Sequence, residues 1–314
     1  LEAGIDPATG KMFFARDAEN PLKCDAVIVD EMSMVDVSLL YSLLQAIPTG
    51  KRLILVGDPD QLPPVGPGFP FGDMLRSGSL PTVRLTEIFR QAQKSLIVMN
   101  AHRVNQGEMP DLKCVSSDFF FMRRTSEEAV CALIRDLCAT RLPQKMGIPT
   151  DQIQVLSPTR KGAVGTVNLN RLLQAALNPQ SPDKKERSYG DYQFREGDRV
   201  MQIRNNYDIL WKKADGSAVG AGIFNGDVGR IQTIDPASET LTVLFDDRLA
   251  EYDFTQLGEL EPAYAMTVHK SQGSEYRAVI LAAWSGSQLL LTRSILYTAI
   301  TRARELFIIV GNEE

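Results

Sequence analysis

The sequence predicts an α/β protein built on parallel sheets and interrupted by a small β-barrel. Three observations carry that prediction. Short apolar runs, Ala26–Val29, Leu53–Val56, Ile153–Leu156, Ala278–Leu281 and Leu306–Val310, read as buried strands. Helical patterns stand between them, the order of a parallel sheet with crossover helices. From about Tyr189 to Leu260 the helical pattern stops, and β-rich runs alternate with turn signals such as Asn225-Gly226 and Asp235-Pro236.

The elements follow in order. Lys11–Arg16 reads as a short strand after a turn. After the strand Ala26–Val29, a helix is expected over Asp36–Ala46, with Leu40, Leu43, Leu44 and Ile47 on one face. The strand Leu53–Val56 then runs into a Pro/Gly-rich loop, Pro59–Gly72. A helix over Ser95–Asn105 closes at Gly107. The next helix is expected to start at Thr125, with Glu128 completing a capping box and Val130, Leu133, Ile134 and Leu137 as the core stripe. The strand Ile153–Leu156 meets the loop Ser157–Gly162, and a helix runs from there to about Leu177. Asn178–Arg187 reads as a polar linker. Barrel strands are expected at Arg199–Arg204, Asp227–Ile234, Leu241–Phe245 and Ala250–Phe254, among five or so in all. A last helix is expected over Thr292–Ala303. This divides the chain into 1–83, then 84–188 joined to 262–314, with 189–261 inserted as the barrel.

With 44% hydrophobic and 23% charged residues, the composition is that of an ordinary soluble globular protein. No apolar run is long enough for a membrane span, and the first residues lack the features of a signal peptide, so the chain reads as cytoplasmic and away from membranes. Cys24, Cys114, Cys131 and Cys138 form no C-x-x-C pair and only His102 and His269 accompany them, which argues against a zinc site and for reduced, packed thiols. The net charge of −5 excludes a protein that coats nucleic acid through overall basicity; any such contact must come from local groups.

The chemistry concentrates at strand ends. Asp30-Glu31 ends one apolar run, and Gly57-Asp58 ends the next with Gln61 three residues on. Carboxylates and an amide at the lip of a parallel sheet suit Mg²⁺ binding and the aiming of a water at a γ-phosphate. Asp30 is read as holding Mg²⁺ through water and Glu31 as the base. Arg90 and Arg302 match the spread charge of a transferring phosphoryl group, the alternative being solvated arginines, as Arg304 is read. Tyr264–Glu275 packs hydroxyl, imidazole, ammonium, amide and glycine groups before a buried strand. In it Thr267 and His269 could reach phosphates or bases, Gly273 allows close approach, and Glu275 could accept from a ribose hydroxyl. Ser157-Pro158-Thr159-Arg160-Lys161-Gly162 sits where a phosphate site forms, for nucleotide or, as favoured, nucleic-acid backbone; a plain loop remains the alternative. Arg204-Asn205-Asn206-Tyr207 and Phe224-Asn225-Gly226-Asp227 offer a barrel face to single strands, or are turns. No G-x-x-x-x-G-K-[ST] occurs, since Thr9-Gly10-Lys11-Met12 lacks the hydroxyl. The expectation is a piece of a longer protein, cut after its phosphate loop and inactive alone.

These blocks together resemble superfamily 1 helicases of the 5′-to-3′ branch, in particular the RecD-like DNA helicases that include the alpha subunit of exodeoxyribonuclease V. Val29–Asp36 resembles their motif II, Gly57–Val65 motif III, Phe89-Arg90-Gln91 motif IV, Thr267–Glu275 motif V and Tyr297–Ala303 motif VI. Gly197–Gln202, Asn205-Asn206-Tyr207 and Asn225–Gly229 resemble the family's inserted barrel. The resemblance implies two RecA-like parallel-sheet domains, the first truncated, with an inserted Src-homology-3-like barrel. It implies ATP and Mg²⁺ as cofactors and movement on single-stranded DNA. It leaves open nuclease or helicase partner subunits, for a chain otherwise expected to be monomeric. The residues carried over are Asp30, Glu31, Gln61, Arg90 and Arg302 for catalysis, and Gly57, Asp58, Gly273 and Glu275 for the nucleotide. Pro63, Thr159, Arg160, Lys161, Arg204, Asn205, Asn206, Thr267, His269 and Lys270 are expected at the nucleic acid. A relaxase–helicase, an RNA helicase and a non-catalytic nucleic-acid-binding module stay open as alternatives.

Overall fold

The structure is a computed structural model that describes residues 1, 3–5, 12–85, 94–113, 118–284 and 290–312. The chain divides into two compact units, 1–93 and 94–314.

In the first unit β1 (Ala3–Ile5) and β2 (Met12–Phe14) form an antiparallel ribbon. β3 (Ala26–Val29) and β4 (Arg52–Leu55) pair in parallel, Ala26 opposite Arg52 and Val29 opposite Leu55. The crossover is a single 3₁₀ turn, Met32–Met34, and α1 (Val37–Ala46). Asp36 begins that helix because its carboxylate accepts the Leu39 N–H, satisfying one of the donors a helix start leaves open. After the Pro-rich loop, α2 (Pro70–Ser77) starts on a proline, which needs no donor there, and stops at Gly78 in the left-handed region. Met32, Val35, Leu40 and Phe71 form the core, with Val29 and Leu55 packed on it. The strands were expected to be buried on both faces. Alternation instead puts Ile28 and Ile54 on the other face, where they are 68% and 49% exposed.

The second unit opens with α3 (Leu96–Asn105), β5 (Phe119–Arg123) and α4 (Glu127–Asp136). The α4 cap is Ser126, one residue later than expected, and its hydroxyl accepts the Ala129 N–H. The predicted stripe is buried: Val130, Leu133, Ile134 and Leu137 are all at most 4% exposed. A π-helical turn, Leu137–Arg141, leads into α5 (Leu142–Met146). Then come β6 (Ile153–Ser157) and α6 (Thr166–Leu177).

The predicted linker holds part of a hairpin, β7 (Glu186–Tyr189) and β8 (Tyr192–Arg195). β9 (Arg199–Gln202), β10 (Asn206–Lys213), β11 (Val219–Ile223), β12 (Val228–Asp235), β13 (Thr240–Phe245), β14 (Arg248–Asp253) and β15 (Leu260–Pro262) form one antiparallel sheet in the order β11-β10-β14-β13-β12-β9-β15. That is more strands than the five or so expected. β10 is polar and half exposed and β11 carries two glycines, so neither shows a clean alternation. β16 (Ala265–Thr267), β17 (Tyr276–Ala283), α7 (Arg293–Ile300) and β18 (Ala303–Gly311) complete the unit. The last helix is shorter than expected because Ala303 already opens β18. A second sheet, all parallel, runs β16-β6-β17-β18-β5, so five strand ends meet at one edge. Among the described residues no helix is long and apolar enough to cross a membrane.

Candidate nucleotide and nucleic-acid sites

Parallel pairing brings the C-terminal ends of β3 and β4 to one edge of the first unit. The Met32 N–H donates to the Val56 carbonyl at 2.9 Å and ties the two turns together. Asp30 accepts the Glu31 N–H at 2.8 Å. Glu31 lies in the left-handed region, φ 52 and ψ 41, a conformation that costs a non-glycine residue roughly 1–2 kcal/mol. Strain of this kind persists where the surroundings impose it, commonly at functional sites. Gly57 is required by close approach, since a Cβ there would stand 2.9 Å from the Met32 nitrogen. Asp58 accepts the Asp60 N–H at 3.0 Å and the Gln61 Nε2 at 3.4 Å. This holds Gln61, which is 9% exposed. Its Oε1 is buried and without a partner among the described residues; such an orphan costs about 1–3 kcal/mol.

Carboxylates and an amide oxygen are the hard donors Mg²⁺ prefers. Among the described residues no three His, Cys, Asp or Glu side chains gather as a metal cage. Mg²⁺ is usually held by one or two carboxylates plus phosphate oxygens, so the donor set fits a Mg-nucleotide. Pro63 lies exposed in the following loop. Arg90 falls outside the described residues, as do Phe89 and Gln91.

In the second unit β16, β6 and β17 end side by side, with Thr267 opposite Ser157. The loop after β6 is tied at both ends. Ser157 Oγ donates to the Val164 carbonyl at 2.9 Å, and the Thr166 and Val167 N–H groups donate back to Thr159 and Arg160. Arg160 and Lys270, both expected at nucleic acid, share one carboxylate. Glu261 meets Arg160 at 3.0 Å and Lys270 at 2.6 Å, and with Tyr192 it raises the Arg160 pKa. Lys161 is exposed and has no ion pair among the described residues. Thr267 Oγ accepts the Lys270 N–H at 3.4 Å. Burial pushes the His269 pKa down. Gly273 has φ 75 with open space around it, a conformation that favours glycine.

Glu275 pairs with Arg304 at 2.8 Å, so the arginine read as merely solvated has a partner and the acid read for a ribose is engaged. Arg302 is 5% exposed. It donates to the Ser274 carbonyl at 3.2 Å and to Thr301 Oγ1 at 3.1 Å, and its Nε is buried without a partner among the described residues. In the barrel Arg204 is exposed, Asn205 accepts the Asn225 N–H, and Asn206 donates to Glu259. Sequence reasoning missed Glu261. Arg160 lies about a hundred residues before it, and although Lys270 is only nine residues on, no local pattern signals that the two cations share it.

Three family models match in order along the chain: an AAA domain over residues 2–118, an ATP-dependent RecD-like DNA helicase SH3 domain over 169–245, and a UvrD-like helicase C-terminal domain over 262–310. The ATP-dependent RecD2 DNA helicase of Deinococcus radiodurans is 35% identical over 310 residues, covering 96% of this chain and 38% of that protein. This chain is a homologue of the RecD-like helicases. The RecBCD enzyme subunit RecD of Mycobacterium tuberculosis is 28% identical, over 96% of this chain and 52% of that protein. The RecD-like chain thus spans about half or less of the length of these curated relatives. A crystal structure of Pif1 helicase from Bacteroides, in complex with ADP-AlF3 and single-stranded DNA, aligns with 98% of this chain and 76% of its own at a TM-score of 0.51 and 18% identity. That likeness is one of fold. The expected fold class, RecA-like parallel sheet with an inserted SH3-like antiparallel region, is borne out.

Proposed function

We propose that the RecD-like chain is the motor part of an ATP-dependent DNA helicase that moves 5′ to 3′ along single-stranded DNA. The observation that carries the reading is Glu31, strained into the left-handed region on the same sheet edge as the buried, unanswered Gln61 Oε1. In this reading Asp30 holds Mg²⁺ through water, Glu31 takes the proton of the attacking water, and Gln61 orients that water. Gly57 and Asp58 flank the nucleotide. When bound, Mg-ATP supplies the phosphoryl group and the cation that offsets its charge. Arg302 and Arg90 supply guanidinium charge, and the free Nε of Arg302 supports that role. Gly273 and Glu275 complete the nucleotide contacts, with Glu275 leaving Arg304 to do so.

For the DNA strand the proposed contacts are Pro63, Thr159, Arg160, Lys161, Arg204, Asn205, Asn206, Thr267, His269 and Lys270. Lys161 and Arg204 contribute most to phosphate binding, because Glu261 already offsets Arg160 and Lys270. The proposed domains are 1–83, 84–188 with 262–314, and 189–261. The test is Glu31→Gln in the protein that carries this chain. DNA-stimulated ATP hydrolysis should fall by about 10²–10⁴-fold, the usual contribution of a positioned base, while oligonucleotide binding by fluorescence anisotropy is unchanged. Hydrolysis at the wild-type rate would remove Glu31 as the base.

A further inference from the structure

We propose that a cavity at the strand-end edge of the parallel sheet is a stacking pocket for one unstacked nucleobase bearing an exocyclic amine, with Trp284 as its aromatic wall. The proposal rests on the single-strand reading above and adds to it a contact with the base itself. The cavity measures about 230 Å³ and is lined by Trp284, Glu127, Ser157, Thr159, Lys161 and Ala282, among others. It is smaller than the roughly 300–1,000 Å³ of pockets that enclose a drug-sized ligand, so its occupant is a single small ring system. Trp284 packs on the core cluster that includes Val155, Ile280 and Ala282, yet is only half-buried. One part of the side chain is anchored while another remains reachable.

The part of the wall formed by the loop after β6 is pre-formed. Ser157 and Val164 close the loop by a hydrogen bond, Asn168 Nδ2 donates to the Ala163 carbonyl at 2.6 Å, and Cys131 Sγ reaches the same carbonyl at 3.3 Å. Gly165 makes the tight return possible, since a Cβ there would stand 2.5 Å from the Lys161 carbonyl oxygen. A wall already ordered costs little to organise on binding.

The two charged lining residues divide the nucleotide between them. Glu127, which lines the cavity, has no ion pair among the described residues. It repels a phosphate and accepts from the amine of cytosine or adenine. The exposed Lys161 takes the phosphate of the same nucleotide. Base–aromatic stacking tolerates sequence because every base has a π-face.

The chain has two tryptophans, so fluorescence separates them. Trp211 sits in the barrel beside Arg248. The experiment titrates the chain with a short labelled oligodeoxycytidine, reading anisotropy of the DNA and intrinsic tryptophan emission together. Wild type should bind with quenching. Trp284→Phe should retain most of the affinity but lose the quench, leaving the Trp211 emission unmoved. Trp284→Ala should bind roughly 5- to 140-fold more weakly, the range of one stacked base. Oligodeoxythymidine, which lacks the amine, should bind wild type more weakly than oligodeoxycytidine, and Glu127→Ala should erase the difference. Undiminished affinity in Trp284→Ala with a persisting quench in Trp284→Phe overturns the pocket and leaves the single-strand reading standing. No anisotropy change with any oligonucleotide overturns both. Should the alanine variant fail to fold, the quench in Trp284→Phe still decides.

Discussion

Two carboxylate centres in this chain follow opposite rules. Asp198 is fully buried, and four donors answer it: Asn178 Nδ2 at 2.7 Å, Tyr264 OH at 2.9 Å, Gln174 Nε2 at 2.6 Å and the Arg195 N–H at 2.7 Å. These ties join α6, the β8–β9 turn and the strand-end region before β16. At the β3–β4 edge the pattern reverses. Asp30 is exposed, Glu31 is strained, and Gln61 buries an acceptor that nothing among the described residues answers. A satisfied centre holds a structure in one arrangement; an unsatisfied, strained one keeps capacity for a ligand.

The comparison breaks most visibly at Asp198. Asp198→Ala strands four donors in a dry site and should cost about 2–4 kcal/mol, read by denaturant unfolding. A loss below about 0.5 kcal/mol, the level of an ordinary surface change, would mean the network is incidental. Glu31 should respond in the other direction. Glu31→Gly relieves the left-handed strain, and after the extra chain entropy of glycine the net gain should be a few tenths to about 1 kcal/mol. The same variant should lose nucleotide hydrolysis. Destabilisation there would show that Glu31 is held by contacts rather than strained against them.

Local features were legible in the sequence and distant ones were not. The start of α1 about Asp36 needs only the residues beside it, and Leu133 and Ile134 follow from helical period. Thr125 was misread as a cap because Ser126 next to it serves equally well, and only the backbone decides between them. The position of Asp30, Glu31 and Gln61 after strand ends could be read from the sequence, but neither the φ of Glu31 nor the burial of Gln61 has a sequence signal. The Asp198 hub was invisible, since its partners come from as far as Tyr264 and each looks ordinary alone. β10 was missed because an exposed strand rich in polar residues loses the alternation that marks a half-buried one.

His269 tests the middle ground between the two centres, being half-buried with no charged partner among the described residues to offset its desolvation. Its pKa lies below the ordinary value of 6.5 because burial disfavours the imidazolium. The unfolded chain therefore takes up a proton near pH 6.5 while the folded chain resists it. The contribution of His269 is fully present above that pH and is lost as pH falls through the window below it. The expected effect is the smallest of the three. Between pH 7.5 and 5.5 the wild-type Tm should fall slightly more than that of His269→Gln, measured in matched buffers. A variant that loses as much Tm as wild type would assign the pH response to other groups and leave His269 solvated in practice.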